Sequence, residues 1–464
     1  MQTRQIVAAL AVCSVLTAPA LATPGARDRV YTADQNSNTV SVINPVSNTL
    51  LGQIRLGNQR PDVLSPLYKG EINVHGLGFS PDHKTLIAIS NGSNSVAFID
   101  MATNKVKGIT YIGRSPHEGF FTADGREVWA VVRGENYISV IDPLTFKEKK
   151  RIATTAGPGM VQFLPNGKLA FVVSSFHPVV DVIDMKSRKV IKHIPVVSPF
   201  SPFLQFTPDF KELWMTHKDA GKVTRIDTAT LEVKGVIETG FITNHLAFAR
   251  TAAGTRAYVT IGGENVVKVY TTDAPPALVA TIPTGALPHG IWNADDGSRL
   301  YVGLENGDAV DVIDSATDKV IARVPVGQAP QALVYVSNAV PEGDGMSNLV
   351  AHANSEPINI ALKGAAGEAR GFIVARNLGV VDALEVSLFK LKAQTVYSVY
   401  VTGQASPVAS FKTNPMGMAN GTAIGPMRDV SSTLSAKAVT ASRVLVMEGD
   451  VSADPQKAVL SSVQ

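Results

Sequence analysis

Residues 289–327 read HGIWNADDGSRLYVGLENGDAVDVIDSATDKVIARVPVG. Four short runs rich in Val, Ile and Tyr, namely HGIWNA, LYVGL, VDVID and VIARVPVG, are separated by DDGS, ENGDA and SATDK. This is the local chemistry of a four-stranded antiparallel meander. β-Branched and aromatic side chains fit a pleated surface, and Gly, Asn, Asp and Ser make the tight reversals. One such sheet cannot bury both of its faces, so a chain that repeats it must stack the copies on one another.

The chain does repeat it. The residues that open the first strand of successive units are His75, His117, Met160, Phe203, His245, His289 and Gln331, at steps of 42, 43, 43, 42, 44 and 42. Seven units predict an all-β fold, a seven-bladed β-propeller in which each innermost strand lines a central channel. A solenoid of stacked sheets is the competitor, and the ends of the repeat decide against it. The last unit stops after one strand, QALVYV at 331–336, while the first residues supply three unpaired strands, RVYTAD, VSVINP and LLGQIRLG, between Arg29 and Gly57. Three strands and one strand complete a single blade, which closes the ring and removes exposed sheet edges.

The phrases AYVTIGGENVVKVY at 257–270 and YVGLENGDAVDVIDSATDKVIARVPVGQAP at 301–330 resemble the YVTN family of β-propeller repeats, which includes YncE-like periplasmic proteins and archaeal surface-layer propellers. The resemblance covers about residues 29–337. It implies the propeller fold and leaves activity open, since propellers host binding proteins, lyases, lactonases and metalloenzymes alike.

Residues 1–22 read as a signal peptide. Arg4 supplies the positive charge, Ile6 to Leu16 an apolar run too short to span a bilayer, and Ala20-Leu21-Ala22 a small-residue cleavage site. The expected location is periplasmic or secreted. A lipid anchor on Cys13 is disfavoured by the branched Val12 before it. Cys13 is the only cysteine, so the mature chain is expected to hold together without disulfides, on the core of seven stacked sheets. Charged residues are 17% of the chain and the formal net charge is +3, which gives no electrostatic footprint for nucleic acid or anionic lipid. No later segment is apolar and long enough for a transmembrane helix.

The propeller is expected over 23–340, with a Gly-rich linker at 341–350 and a C-terminal domain over 351–464. INIALKG, ARGFIVARNLG, ALEVSLFKLKAQTVYSVYVTG, VASFKTN and SRVLVMEGD read as six or seven strands, enough for a small β-sandwich of Ig-like size. An insertion of 14 residues between Gly57 and His75 sits where one blade passes to the next. It is either a lid over the channel, bringing Arg60, or a surface loop.

Chemistry is expected at one mouth of the channel. His75, His117, His245 and His289 open inner strands in four of seven units, while His177 and His217 follow second strands and reach the same face. Neutral imidazoles ringing a channel are what copper, zinc or iron requires, so these four are the candidate metal ligands. The first two come from neighbouring blades, as do the last two, and the pairs are expected to lie across the ring from each other. The pattern resembles the propeller of nitrous oxide reductases, which implies copper. Only four inner strands begin with His, however, and a mature chain without cysteine cannot build that family's second copper centre.

His177, His217, Glu118, Met160 and Arg60 are candidate contacts for a small ligand. Glu118 follows His117, so strand alternation predicts that it points away from the channel. The competing reading is a channel lining whose polar groups satisfy backbone and water. Elsewhere, Asp100, Asp142, Asp184, Asp227 and Asp314 recur with the repeat as turn-forming scaffold. Met416, Met418 and Met427 are read as packing around a hairpin at Asn420-Gly421. The expected function is binding of a metal ion, a small ligand or an envelope protein through the His-bearing face. The alternatives are a lyase, lactonase or metal-dependent oxidoreductase at the same mouth, and a structural envelope protein.

Overall fold

The computed structural model describes residues 24–57, 72–352, 357–364, 367–377, 382–401, 404–425, 444–449, 451 and 453–462. The signal peptide and the 58–71 insertion, with Arg60, lie outside the described residues.

Seven four-stranded antiparallel sheets form the propeller. We number the blades I to VII by their inner strands: Val74–Phe79, Pro116–Phe121, Pro158–Phe163, Leu204–Phe206, Thr243–Thr251, Pro288–Asn293 and Pro330–Val336. Blade VII is the composite expected from the ends of the repeat. Its inner strand pairs with Arg29–Asp34, and Thr39–Asn44 and Thr49–Arg55 complete the sheet. Phe203 falls one residue before its strand and still packs in the core.

Apolar side chains of adjacent sheets interdigitate between blades. Met160, Phe171, Trp214, Phe248 and Val259 make one such layer across blades III to V. The recurrent aspartates do what the repeat predicts. Asp100, Asp142, Asp184, Asp227 and Asp314 each accept backbone N–H bonds two or three residues on, as in Leu144 N to Asp142 Oδ1 at 2.9 Å. Asn44 plays the same part in blade VII.

After Val336 the chain crosses the side of the propeller. Asn104 donates to the carbonyls of Gly345 and Ser347, and Val350 bridges to Gln53 on the outer strand of blade VII. The C-terminal domain then forms one curled sheet of eight strands, not six or seven, which is β-sandwich-like. The strands the sequence pattern passes over are Ala419–Gly425, read there as a hairpin, and Leu460–Ser462, only three residues long. Asn420-Gly421 is inside the strand Ala419–Gly425, paired with Ser387 and Val386, rather than at a turn. The turn falls earlier, where Asn414 Oδ1 accepts from Met416 N and Met418 N and Gly417 takes φ +72°.

This domain docks on the face where inner strands start. Phe389 and Met418 pack against Ile242 and Leu287, and Asn359 donates to the carbonyl of Asn306. It therefore covers the side of the mouth formed by blades V to VII. No helix among the described residues is long and apolar enough to cross a membrane.

Candidate functional site

Each inner strand that carries histidine begins with a β-bulge. In blade II, Pro116 pairs with Val132 and Gly119 with Ala130, so His117 and Glu118 together face the one position of Val131. Blades I, V and VI slip in the same way at His75, His245 and His289. A bulge breaks alternation and re-aims side chains, which is why these imidazoles turn into the lumen.

The four rings form one buried arc. His117 lies 4.2 Å from His75 between ring centroids, His75 lies 6.5 Å from His289, and His289 lies 4.7 Å from His245. Phe203 stacks on His245 at 4.1 Å and closes the arc in blade IV. The two pairs are thus not across the ring. Only blade VII, with Gln331, separates blade VI from blade I.

Glycine lets the strands come this close. A methyl group on Gly76 would strike the carbonyl oxygen of His117 and stand 2.6 Å from Oε2 of Glu118, and one on Gly290 would stand 2.6 Å from the carbonyl oxygen of Gln331. Gly76→Ala is therefore expected to cost about 1–3 kcal/mol through overpacking and to displace His117. Urea denaturation checks it, and an unchanged midpoint would refute the close packing of blades I and II.

All four imidazoles are neutral at pH 7. Burial is the main cause, reinforced by neighbouring cations: His75, His117 and His245 are held well below the usual histidine range, and His289 is pulled down to about 4. The Nδ1 atoms of His117 and His289 each lie 2.7 Å from a backbone carbonyl, of Gly159 and Gln331. A neutral ring that donates there carries its lone pair on Nε2. His75 Nδ1 and His245 Nε2 are buried with no hydrogen-bond partner.

The bulge also overturns the expected direction of Glu118. Its carboxylate sits beside His75, with Oε1 4.0 Å from Nδ1, and Oε1 has no hydrogen-bond partner. Burial pushes the carboxyl well above its usual range in spite of Arg133 nearby, so it keeps its proton. A protonated acid beside a neutral base is the raw material of proton transfer.

Three predicted contacts are not brought to this point. His217 is enclosed between Ser201 Oγ at 3.1 Å and Thr224 Oγ1 at 2.7 Å, so both ring nitrogens are taken and burial pulls it down to about 4. Met160 is wholly buried among apolar side chains. His177 is exposed on its loop, three residues past the end of its strand.

Sequence reasoning missed a second ring of positions. The residue that directly follows the second strand of each blade is, in order from blade I, Asn91, Arg133, Ser175, Lys218, Gly262, Glu305 and Gln35. Arg133, Lys218 and Glu305 are half-buried, keeping surface toward the lumen while surrounded by protein. Desolvation pulls the Arg133 guanidinium down to about 10 and lowers Lys218. For Glu305, burial would raise the carboxyl. His289, Lys218, a hydrogen bond with Gln331 and Arg376 outweigh it and keep it ionised. Aligning the repeats on the ends of their second strands exposes this ring.

Among the described residues, no three His, Cys, Asp or Glu side chains stand close enough to share a metal ion. A separate crevice of about 350 Å³ runs between the domains, lined by Leu287, Ile360, Phe372 and Phe389. The titratable cluster is in the lumen.

The fold and its mouth define a seven-bladed propeller with an imidazole-lined channel and an appended β domain. Residues 115–328 match the YncE-like β-propeller family, and the seven blades fit that match. Among solved structures, the chain is similar to hydrazine synthase of Kuenenia stuttgartiensis, at 22% identity and TM-score 0.51 over 56% of this chain and 89% of that one. It is also similar to a functionally unknown protein from Desulfotomaculum acetoxidans DSM 771, at 14% identity and TM-score 0.57 over 67% of this chain and 99% of that one. At these identities the likeness is one of fold.

Proposed function

We propose that this is an exported binding protein that takes a small polar ligand into the imidazole-lined mouth. The observation that carries the reading is the pair of buried, unpartnered ring nitrogens, His75 Nδ1 and His245 Nε2, within an arc of four neutral imidazoles. Orphaned buried polar atoms are costly, and a ligand that hydrogen-bonds them recovers that cost. Residues 1–22 support export.

One observation favours a second reading, in which the ligand is a transition metal such as copper, zinc or iron. His117 and His289 have their Nδ1 atoms tied to backbone carbonyls, the outer-shell arrangement that orients metal-binding histidines. The rings would have to close around the ion.

Both readings are checked on protein purified without an affinity tag from its own source. Native mass spectrometry and elemental analysis compare it with His75→Gln/His245→Gln. A stoichiometric small molecule lost in the variant is the expected result, and one equivalent of metal lost there favours the second reading. A wild-type mass equal to the bare chain, with no metal, counts against both.

A further inference from the structure

We propose that the ligand of this mouth is an anion, a carboxylate or phosphate held by Arg133, Ser175 and Lys218 on consecutive blades II, III and IV. This rests on the reading that the mouth is a ligand site.

The three residues occupy the same structural position, each the first residue after a second strand, Val128–Val132, Leu169–Ser174 and Glu212–His217. Seven such positions ring the lumen, and these three are adjacent. The C-terminal domain docks on blades V to VII, through Ile242, Leu287, Asn306 and Asp308. The three donors therefore line the side of the mouth that the domain leaves uncovered.

All three donors lack partners. Neither the Arg133 guanidinium nor the Lys218 ammonium has a hydrogen bond or an ion pair within 4.0 Å among the described residues. Ser175 is 94% buried (6% exposed), and its Oγ has no hydrogen-bond partner. That hydroxyl lies over Gly159, 3.0 Å from where a Cβ would stand, and the Gly159 carbonyl receives His117. Ser175 thus stands beside the imidazole arc, and Arg133 and Lys218 are near enough to act on its rings, Arg133 on His75 and His117 and Lys218 on His75, His245 and His289.

The nearby acids do not neutralise them. Glu118 acts on Arg133 from beyond ion-pair distance, with no ion pair within 4.0 Å among the described residues. Asp219 is engaged by the Ser198 hydroxyl, and burial raises it too. Glu305 does act on Lys218, across the lumen in blade VI, but it is itself shared with His289, Gln331 and Arg376. Two desolvated cations and a hydroxyl donor, none with a hydrogen-bond or ion-pair partner among the described residues, form a site short of negative charge. Guanidinium, ammonium and hydroxyl donors converging at one place are the usual recognition set for a carboxylate or phosphate group. Low dielectric strengthens each contact.

The test is calorimetric titration of the full chain at pH 7 with two probes, inorganic phosphate and malonate, on wild type, Arg133→Gln, Lys218→Gln and Ser175→Ala. One probe is expected to bind with 1:1 stoichiometry, and each charge-removing variant to weaken it at least tenfold. Which probe binds tells phosphate from carboxylate. Melting of the ligand-free proteins gives a second readout. Removing an unneutralised, desolvated guanidinium is expected to leave Arg133→Gln as stable as wild type or more so, while abolishing stabilisation by the anion.

Binding of neither anion, or equal binding by wild type and an Arg133→Gln/Lys218→Gln variant, overturns the proposal. The ligand-site reading fails separately, through the mass and metal comparison with His75→Gln/His245→Gln. A co-purifying ligand that survives in the Arg133/Lys218 variant keeps that reading and removes the anion.

Discussion

Arg376→Met is expected to lower the stability of the docked C-terminal domain by about 3–5 kcal/mol, the usual cost of removing one partner from a buried charge network. Arg376 is fully buried. Its Nε and Nη2 atoms donate to Asp308 of the propeller at 2.8–3.1 Å, Nη2 reaches the Glu305 carbonyl at 2.6 Å, and Nη1 lies 2.7 Å from Oε2 of Glu385. Glu385 in turn accepts from Asn36 of blade VII at 2.6 Å, and Asp308 accepts from Ala329 N at the start of the closing strand. One guanidinium thus ties the second domain to blades VI and VII.

Without Arg376, two carboxylates remain buried and uncompensated, which is where the cost arises. Urea denaturation, with limited proteolysis to report domain release, measures it. Neutralising both acids as well, in Arg376→Met/Asp308→Asn/Glu385→Gln, is expected to recover most of the loss, because an apolar or neutral cluster of similar volume is often as stable as the ions. A single variant within 1 kcal/mol of wild type would show that the lock contributes little. The domain is fixed beside the mouth by this contact, so the uncovered side of the channel is set by Arg376 as much as by the propeller.

The fold was legible because it is periodic. A first-strand residue every 42–44 positions, an aspartate closing five of the seven third strands, and one strand at the end to match three at the start require only counting. The four lumen histidines were legible for the same reason, since they recur at one phase of the repeat. What lay off that phase was hidden. The bulge that lets both His117 and Glu118 face the site is a backbone event, and alternation gave the wrong side for Glu118. His217 looked like a ligand because the hydroxyls that enclose it, Ser201 and Thr224, are 16 and 7 residues away. Arg133, Ser175 and Lys218 share a position and no residue type, so composition and motif both pass over them. Arg376 meets Asp308 across 68 residues and two domains, beyond any local pattern.

Acidification from pH 7 toward 5 is expected to destabilise the fold steeply, and the sign follows from which groups are buried neutral. A histidine whose folded value lies below its unfolded one contributes stability that is present above the unfolded value and lost as pH falls toward the folded value. His217 and His289 fall from 6.5 to about 4, so each withdraws about 3 kcal/mol across that window. His75, His117 and His245 act in the same direction.

Asp34 and Glu118 oppose them, and Asp219, which burial also raises, acts with these two carboxyls. Burial raises Asp34, even with Ser41, Thr32 and Thr39 donating to it, to about 7, and it raises Glu118 as well. Each contributes stability that is full below its unfolded value and lost as pH rises through its folded one. Between pH 6.5 and 5, five histidines act against the two most strongly raised carboxyls, with Asp219 adding to the opposing side. Three uncompensated groups at about 1.4 kcal/mol per pH unit each give a net slope of at most about 4 kcal/mol per unit.

Urea midpoints at pH 7, 6 and 5 test the sum, and two variants test its parts. His289→Gln is expected to flatten the slope by about 1.4 kcal/mol per pH unit, and Asp34→Asn to steepen it by the same amount. A His289→Gln profile parallel to wild type would mean that this ring takes up its proton at the same pH in the folded and unfolded chain, so that burial does not hold it neutral. A ring that charges at its ordinary pH loses its lone pair as pH falls through about 6.5, so the same curve that measures stability also tests whether burial keeps the mouth able to accept hydrogen bonds or metal in mildly acidic solution.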